Sequence, residues 1–433
     1  MSTTTAAADT PVRSARRELA AATVGGVVEL FDWTLYGVLA PYFAAQIFPG
    51  GDPLTKLLAA YLGFAVGFLA RPLGSAVMGR LADTHGRRFV MTLSVMTIAI
   101  GSLLIGIAPT YATAGATGAV LIVIVRFAMG LSVSGELASS AAFVTETAPR
   151  ARRFLYSAVS YGGGMLGQLL SFAVLAVLLA GFGKEGLENG AWRYGFLFGA
   201  VLGLAALWIR RSVDEPEEFV RTRASGARPK VLPLLRANLR KLLAVFFMTV
   251  GSTMSLYFGT LYLPQFAAKA GVVSAAAASS LIMVAIAVQF VAMVVFGKLS
   301  DRLSPLTLTR VGLGYLAVAT VPLMSLLLSG ALPFLLVACL YVIGVAPALA
   351  VLNVVGGLLF PVHIRAIAIG LSTSLAVAAF GGTFPLVAEA MTGSGHPDWV
   401  GWYAAAGAVI SLVASLFIRR QDLRHGESRS LAG

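Results

Sequence analysis

The chain of 433 residues holds one cysteine, Cys339, and four histidines. A lone thiol excludes an intrachain disulfide and leaves the redox compartment unread, and no Cys/His spacing suits a metal ion. No hydrolytic nucleophile motif appears, so the sequence points away from an enzyme and from a bound cofactor. Charge is scarce too: Asp, Glu, Lys and Arg make up 12% of the residues, against 58% that are hydrophobic. A soluble protein of this length has no interior large enough for so much apolar surface, so a bilayer must cover part of it. Glycine, by contrast, is plentiful, with 47 residues. The run Gly162-Gly163-Gly164…Gly167-Gln168 and the pair Gly381-Gly382 lie inside apolar stretches. Close helix packing explains them better there than a phosphate loop.

Apolar stretches of roughly 20 residues, enough to cross about 30 Å of hydrocarbon, fall near 20–43, 57–80, 88–108, 118–145, 154–181 and 192–209. They resume near 241–265, 275–299, 307–329, 332–360, 366–391 and 399–418. Pro and Gly clusters punctuate them, as at Pro49-Gly50-Gly51-Asp52-Pro53. Segments this long are helices, because barrel strands would read as short alternating runs. The expected organisation is an N-terminal bundle over residues 1–209, a linker over 210–240, and a C-terminal bundle with a short tail over 241–433. Residues 1–19 are polar, with Arg13, Arg16 and Arg17 and no signal-type apolar core, so the first span is expected to be retained.

With the N-terminus placed inside, 26 of the 32 Lys and Arg fall on cytoplasmic segments and 4 on outer ones, while Arg71 and Arg126 lie within spans. That excess places both termini in the cytoplasm. The net charge of +13 then reflects orientation and attraction to anionic lipid, not nucleic-acid binding.

Two cationic segments share a pattern. Gly79-Arg80-Leu81-Ala82-Asp83-Thr84-His85-Gly86-Arg87-Arg88 follows the second span, and Gly297-Lys298-Leu299-Ser300-Asp301-Arg302 follows the eighth. A loop repeated at half-length in a hydrophobic chain marks two homologous bundles, the architecture of a secondary transporter. The first segment resembles the signature between helices 2 and 3 of the major facilitator superfamily. Further stretches resemble one branch, the metabolite:proton symporters that carry citrate, 2-oxoglutarate, shikimate, or proline and betaine. They are Glu29-Leu30-Phe31-Asp32-Trp33-Thr34-Leu35-Tyr36-Gly37, Phe68-Leu69-Ala70-Arg71-Pro72-Leu73-Gly74, and the run from Arg126 to Glu136. Arg211 to Phe219 and Phe360 to Arg365 complete the set. The chain departs from the pattern at Thr84, where the family usually has a basic residue, and at Leu303-Ser304-Pro305, which replaces a Gly-Arg-Arg ending.

The resemblance implies an all-α membrane protein, with twelve transmembrane helices in two pseudo-symmetric six-helix bundles and a substrate site at midplane between them. It also implies a cytoplasmic gate made of Gly79, Asp83, Gly86, Arg87, Arg88, Asp301, Arg302 and Arg365. Asp83 would there meet the positive end of the eleventh helix, where Arg365 stands.

Ionisable side chains at mid-membrane cost on the order of 2.5–3.5 kcal/mol each and are kept for function or internal pairing. Five stand out: Glu29, Asp32, Arg71, Arg126 and Glu136. Glu29, Asp32 and Tyr36 share one helix face. At about 1.5 Å per residue, Asp32 and Arg126 lie at matching depths, roughly 18 Å and 12 Å from opposite ends of their helices. The same count brings Glu136 to Arg71, so two cross-helix ion pairs are expected. They either hold the bundle together or carry transport, with Arg126 meeting a substrate carboxylate and an acid among Asp32, Glu29 and Glu136 carrying the coupling proton. The second half offers neutral polar groups, including Ser252, Thr253, Tyr257, Gln289 and Asn353, with helix–helix hydrogen bonding as their plainer role. Glu389 and His363 are expected at the surface. Candidate substrate contacts are therefore Arg126, Tyr36, Gln168, Thr253, Tyr257 and Asn353.

The expected function is proton-coupled import of a small organic acid, such as a di- or tricarboxylate, by a monomeric carrier of a bacterial inner membrane, with the proton as coupling ion. A symporter for shikimate or for a zwitterion such as proline or betaine, a drug–proton antiporter, and a non-transporting sensor are the rival readings. No soluble signalling domain supports the sensor, and the absence of a long heptad extension after Arg420 disfavours an osmosensing type.

Overall fold

The computed structural model describes residues 9–85, 87–147, 150–210, 231–418 and 422. Among them all regular structure is helical. A chain without water to satisfy its amides can answer only with internal hydrogen bonds of this kind. The first half contains α1 (Asp9–Ile47), α2 (Pro53–His85), α3 (Arg87–Gly106), α4 (Thr117–Thr147), α5 (Arg153–Gly186) and α6 (Trp192–Arg210). The second contains α7 (Leu239–Lys269), α8 (Ala275–Ser300), α9 (Pro305–Leu328) and α10 (Phe334–Leu359). It ends with α11, which runs over Val362–Ala376 and on through Phe384–Gly393, and α12 (Trp399–Leu416). Among the described residues nine segments are long and apolar enough to span a membrane, Arg153–Ile209 covering both α5 and α6. Thr117–Val133 adds a shorter apolar piece of α4.

The helix ends are closed by side chains suited to the backbone groups they meet. Before α2, Asp52 accepts from the Thr55 amide at 2.9 Å and the Thr55 hydroxyl at 2.5 Å, and that hydroxyl and amide hold its carboxyl below the usual carboxylate range. Cations close C-termini: Lys241 Nζ donates to Leu359 O at 3.0 Å, Arg310 to Ser415 O at 2.7 Å, and Arg193 to Gly106 O and Ala108 O at 3.0 and 2.7 Å. Several of the basic residues that bias orientation therefore also finish helices.

In the first half α1 packs on α5, α2 on α4 and α3 on α6; in the second α7 packs on α12, α8 on α10, and α9 on both α10 and α12. The peripheral helices carry exposed apolar side chains, Trp208 on α6 at 74% and Val318 on α9 at 76%, the surface a lipid phase would cover. Glycines set the tightest crossings. A Cβ at Gly130 would stand 1.8 Å from Gly67 O, one at Gly167 2.0 Å from Val27 O, and one at Gly251 2.2 Å from Gly407 O. Small residues let backbones approach in this way where lipid offers no hydrophobic drive to helix association.

Two π turns interrupt helices of the second half, Tyr257–Tyr262 within α7 and Val377–Gly381 within α11. Each comes just before a proline, Pro264 and Pro385. A proline gives no N–H to the carbonyl four residues back and its ring crowds that carbonyl, so the widened turn relieves the clash. The two turns face one another, because a Cβ on Gly381 would meet Thr253 Oγ1 at 2.5 Å and the Tyr257 ring at 3.0 Å.

Across the halves α5 meets α8, α2 meets α11, and α4 touches α10 and α11. On the face reached by residues 297–302, the Asp301 carboxylate accepts from the Phe154 and Leu155 amides at 2.9 and 3.2 Å. At the opposite face Gln265 donates to Gly37 O at 3.1 Å and Tyr61 to Gln265 Oε1 at 2.5 Å, while Gly393 packs on Leu54. Between them Gln168 Nε2 donates to Thr260 Oγ1 at 2.8 Å. Among the described residues the halves thus touch near both ends and at the centre.

Candidate functional site: a buried charge cluster between the halves

One face of α1 carries Glu29, Asp32 and Tyr36, and this face supplies the acids of two ion pairs. Arg126 on α4 places Nη1 2.5 Å from Asp32 Oδ2, with both side chains 1% exposed or less. The second Asp32 oxygen accepts from Ser102 Oγ at 2.7 Å. The guanidinium carbon of Arg126 lies 4.1 Å from the Tyr36 ring centre and 5.2 Å from that of Trp33. Its Nε and Nη2 have no hydrogen-bond acceptor. Leaving a buried donor unmade costs about 1–3 kcal/mol, and more for a charged one. Tyr36 is oriented by its hydroxyl, which donates to Ala60 O at 2.9 Å.

Arg71 on α2 pairs with Glu29, Nη2 to Oε1 at 3.0 Å, a partner that depth counting does not name, while the expected pairing with Glu136 lies outside the described residues. Helix depth fixes height but not azimuth. Glu29 lies one turn below Asp32 on the same face of α1, toward the neighbouring α2, and that direction decides the partner. The side chain of Glu136 lies outside the described residues. Arg71 stacks its guanidinium carbon 4.4 Å from the Phe68 ring centre and 4.8 Å from that of Trp33, and its Nε also lacks an acceptor.

The second half closes over this cluster with neutral groups. Tyr257 meets Phe68 edge-on at 5.7 Å and Phe64 at 6.2 Å. Thr253 lies one turn before it, against Gly381. Gln168 is committed to Thr260 across the interface. Gln289 on α8 is fully buried, and neither end of its amide has a partner. The side chain of Asn353 lies outside the described residues.

Glu389 corrects the surface expectation: it is 3% exposed and pairs with Lys269, beside the Tyr262–Thr392 hydrogen bond. A carboxylate near a helix end can point inward when a long lysine reaches it from the next helix, and sequence position does not tell the two directions apart. His363, the other residue expected at the surface, has its side chain outside the described residues.

The gate residues are partly visible. Asp301 caps α5 across the interface, and burial pushes its carboxyl above the usual range against the opposing pull of the two amides. Arg365 is buried near the start of α11, and Arg302 is exposed. Gly79 stands within α2; Gly86 and the side chains of Asp83, Arg87 and Arg88 lie outside the described residues, and the expected contact of Asp83 with α11 lies there with them. Sequence reasoning missed Ser102, Thr260 and Tyr61. Each is an ordinary polar residue on an apolar helix, and only its partner across space marks it.

With Arg126 at 0% and Asp32 at 1% exposure, this ion pair is shut away from water. Such an arrangement offers anion-seeking guanidinium donors on one wall, hydrogen-bonding groups on the other, and carboxylates able to take up a proton.

Comparison with known proteins agrees with this reading of the fold. The profile of the Major Facilitator Superfamily matches residues 22–382. The alpha-ketoglutarate permease of Escherichia coli (strain K12) is 34% identical over 429 residues, covering 97% of this chain and 99% of that one. The citrate-proton symporter of Klebsiella pneumoniae is 29% identical, covering 92% and 91%. A chain of Staphylococcus aureus (strain COL), provisionally named a proline/betaine transporter, is 27% identical, covering 94% and 88%. The xylose transporter XylE from E. coli, solved in a partially occluded inward open conformation, superposes with a TM-score of 0.74 at 19% identity, covering 94% and 97%. The chain belongs to the Major Facilitator Superfamily, and it is a multi-pass membrane transporter of small molecules, not an enzyme.

Proposed function

We propose that the protein is a proton-coupled symporter that imports a small organic acid, such as a di- or tricarboxylate, by alternating access. The observation that carries this reading is the Arg126 guanidinium. It is held by Asp32 through one nitrogen, shut away from water, and left with two donors unanswered. A guanidinium grips a carboxylate through two parallel hydrogen bonds, a geometry matched by those free donors. When substrate takes Arg126, Asp32 loses its counter-charge in a dry site, and protonation relieves it. Binding and proton uptake are coupled by that exchange. The names of the relatives support carboxylate transport by proton symport.

One observation favours a second reading, a zwitterion symporter: a relative bears the proline/betaine name. The chemistry of the site weighs against it. A quaternary ammonium seeks aromatic faces, and the faces of Trp33, Tyr36 and Phe68 are already taken by Arg71 and Arg126.

The accompanying organisation is an N-terminal bundle to residue 209, a linker over 210–240 and a C-terminal bundle from 241, with both termini in the cytoplasm of a bacterial inner membrane, working as a monomer. Asp301, Arg302, Arg365 and the 79–88 segment form the cytoplasmic gate, a reading supported by the Asp301 contacts with the Phe154 and Leu155 amides. Reconstituted protein should accumulate a bound acid under an imposed proton gradient and lose that accumulation when a protonophore is added. Accumulation that follows a sodium gradient would overturn proton coupling. Arg126→Lys should weaken carboxylate binding at least tenfold while the protein stays folded, and full affinity in that variant would overturn the clamp.

A further inference from the structure

We infer that Gln289 is the substrate contact supplied by α8, and that its amide takes a hydroxyl of the carried acid. This rests on the reading of Arg126 as the clamp for that acid's carboxylate.

The internal repeat singles the residue out. Gly79 and Gly297 open the two copies of the repeated segment; Arg71 stands eight residues before the first, and Gln289 eight residues before the second. The surroundings repeat as well. α2 packs on α4 and reaches across to α11, and α8 packs on α10 and reaches across to α5. Close to Arg71, Phe68 lies against Gly382, where an added Cβ would come within 2.5 Å of it. Beside Gln289, Phe290 lies against Gly162 of α5, where an added Cβ would come within 2.4 Å. Gln289 therefore holds in the second half the place that Arg71 holds in the first, next to an aromatic side chain that crosses to the other half.

The two differ in how they are answered. Arg71 has Glu29. Gln289 is 0% exposed, and neither its Nε2 nor its Oε1 has a hydrogen-bond partner. It shares the buried stripe of α8 with Ile282, Ile286 and Met293, where a leucine would serve packing without the cost of an unanswered amide. The amide also selects what can answer it. A carboxylate only accepts, so it would leave Oε1 unmet. A hydroxyl donates to Oε1, while a neighbouring oxygen of the same molecule accepts from Nε2. Alternating access gives the contact a use, because a molecule biases the movement of two halves only by binding them differently in the two states. An acid with its carboxylate on Arg126 and its hydroxyl on Gln289 joins the halves, and an analogue lacking the hydroxyl strands the amide.

The test uses the full chain in detergent and two pairs of acids that differ by one hydroxyl, malate with succinate and citrate with tricarballylate. Affinity is read by titration calorimetry and stability by melting. The expected result is at least tenfold tighter binding of the hydroxylated member of a pair. Gln289→Leu should abolish that preference and leave the affinity of the unhydroxylated acid as it was. Its melting temperature without ligand should equal or exceed that of the unaltered protein, since no partner is lost. If that variant does not fold, Gln289→Asn withdraws the amide by one methylene and should narrow the same ratio. No preference in the unaltered protein, binding of none of the four acids, or a preference that survives in the Gln289 variants would overturn the inference. A surviving preference with a lowered melting temperature would make Gln289 a packing residue. Arg126→Lys separates the two readings, because it should weaken both members of a pair together and keep their ratio. Normal binding in that variant removes the clamp, whereas weakened binding there with an undiminished preference in Gln289→Leu removes only the Gln289 contact.

Discussion

The N-terminal half buries Glu29, Asp32, Arg71 and Arg126 at its inner face, while the C-terminal half meets them with Thr253, Tyr257, Thr260 and Gln289. The second half has a buried carboxylate as well, Glu389, but it lies toward the face opposite Asp301 and is paired with Lys269 of its own half. Its distinctive features near the centre are backbone ones, the π turns ahead of Pro264 and Pro385. The contrast separates two tasks. The buried charge is held on tightly crossed helices. The opposing wall supplies neutral hydrogen bonding and locally widened helices, which tolerate relative movement because losing any one contact strands no charge.

The contrast breaks most visibly at Arg126. Arg126→Ala leaves Asp32 alone in a dry core, and the expected loss is about 3–5 kcal/mol, read as a large fall in melting temperature in detergent. Adding Asp32→Asn should restore much of it. Failure of that rescue would mean the arginine acts through packing on Tyr36 and Trp33 and not through the pair. Thr253→Val on the other wall should move the melting temperature far less.

Packing should be symmetric where charge is not. Gly130→Ala in the first half and Gly251→Ala in the second each force a methyl onto a backbone carbonyl, and each should cost about 1–3 kcal/mol or more. A loss confined to one variant, measured by yield of monodisperse protein and by melting, would show that one half yields where the other does not.

Asp301→Asn tests the link between the halves. An amide presents an NH2 group where a carboxylate oxygen now accepts, so one of the two contacts with Phe154 and Leu155 becomes repulsive. A cap of this kind contributes about 1 kcal/mol, enough to shift an open–closed equilibrium about fivefold. Labelling of a cysteine introduced on that face, with Cys339 replaced by serine, should quicken accordingly, and unchanged labelling would remove the contact from the gate. The smallest effect is expected at Gln168→Leu, which deletes one neutral hydrogen bond across the interface and should cost about 0.5–1.5 kcal/mol. A transport rate changed more than tenfold there would place Gln168 in the substrate path.

Much of the molecule was legible before any coordinates. The lengths of the apolar runs, their Pro and Gly punctuation and the repeated Gly-basic-Leu-small-Asp pattern are local properties, and the bilayer makes local properties decisive because it permits only helices of a certain length. The Asp32–Arg126 pair was legible for the same reason, since two charges at one depth in hydrocarbon have few other partners. Height along a helix is set by counting residues, but the direction a side chain points around the axis is set by which neighbours pack there. Only the tertiary structure decided that Arg71 turns to Glu29, that Glu389 turns inward to Lys269, that Ser102 completes Asp32, and that Asp301 caps a helix 147 residues earlier in the chain. Those contacts join groups distant in sequence, and their geometry exists only once the helices have packed.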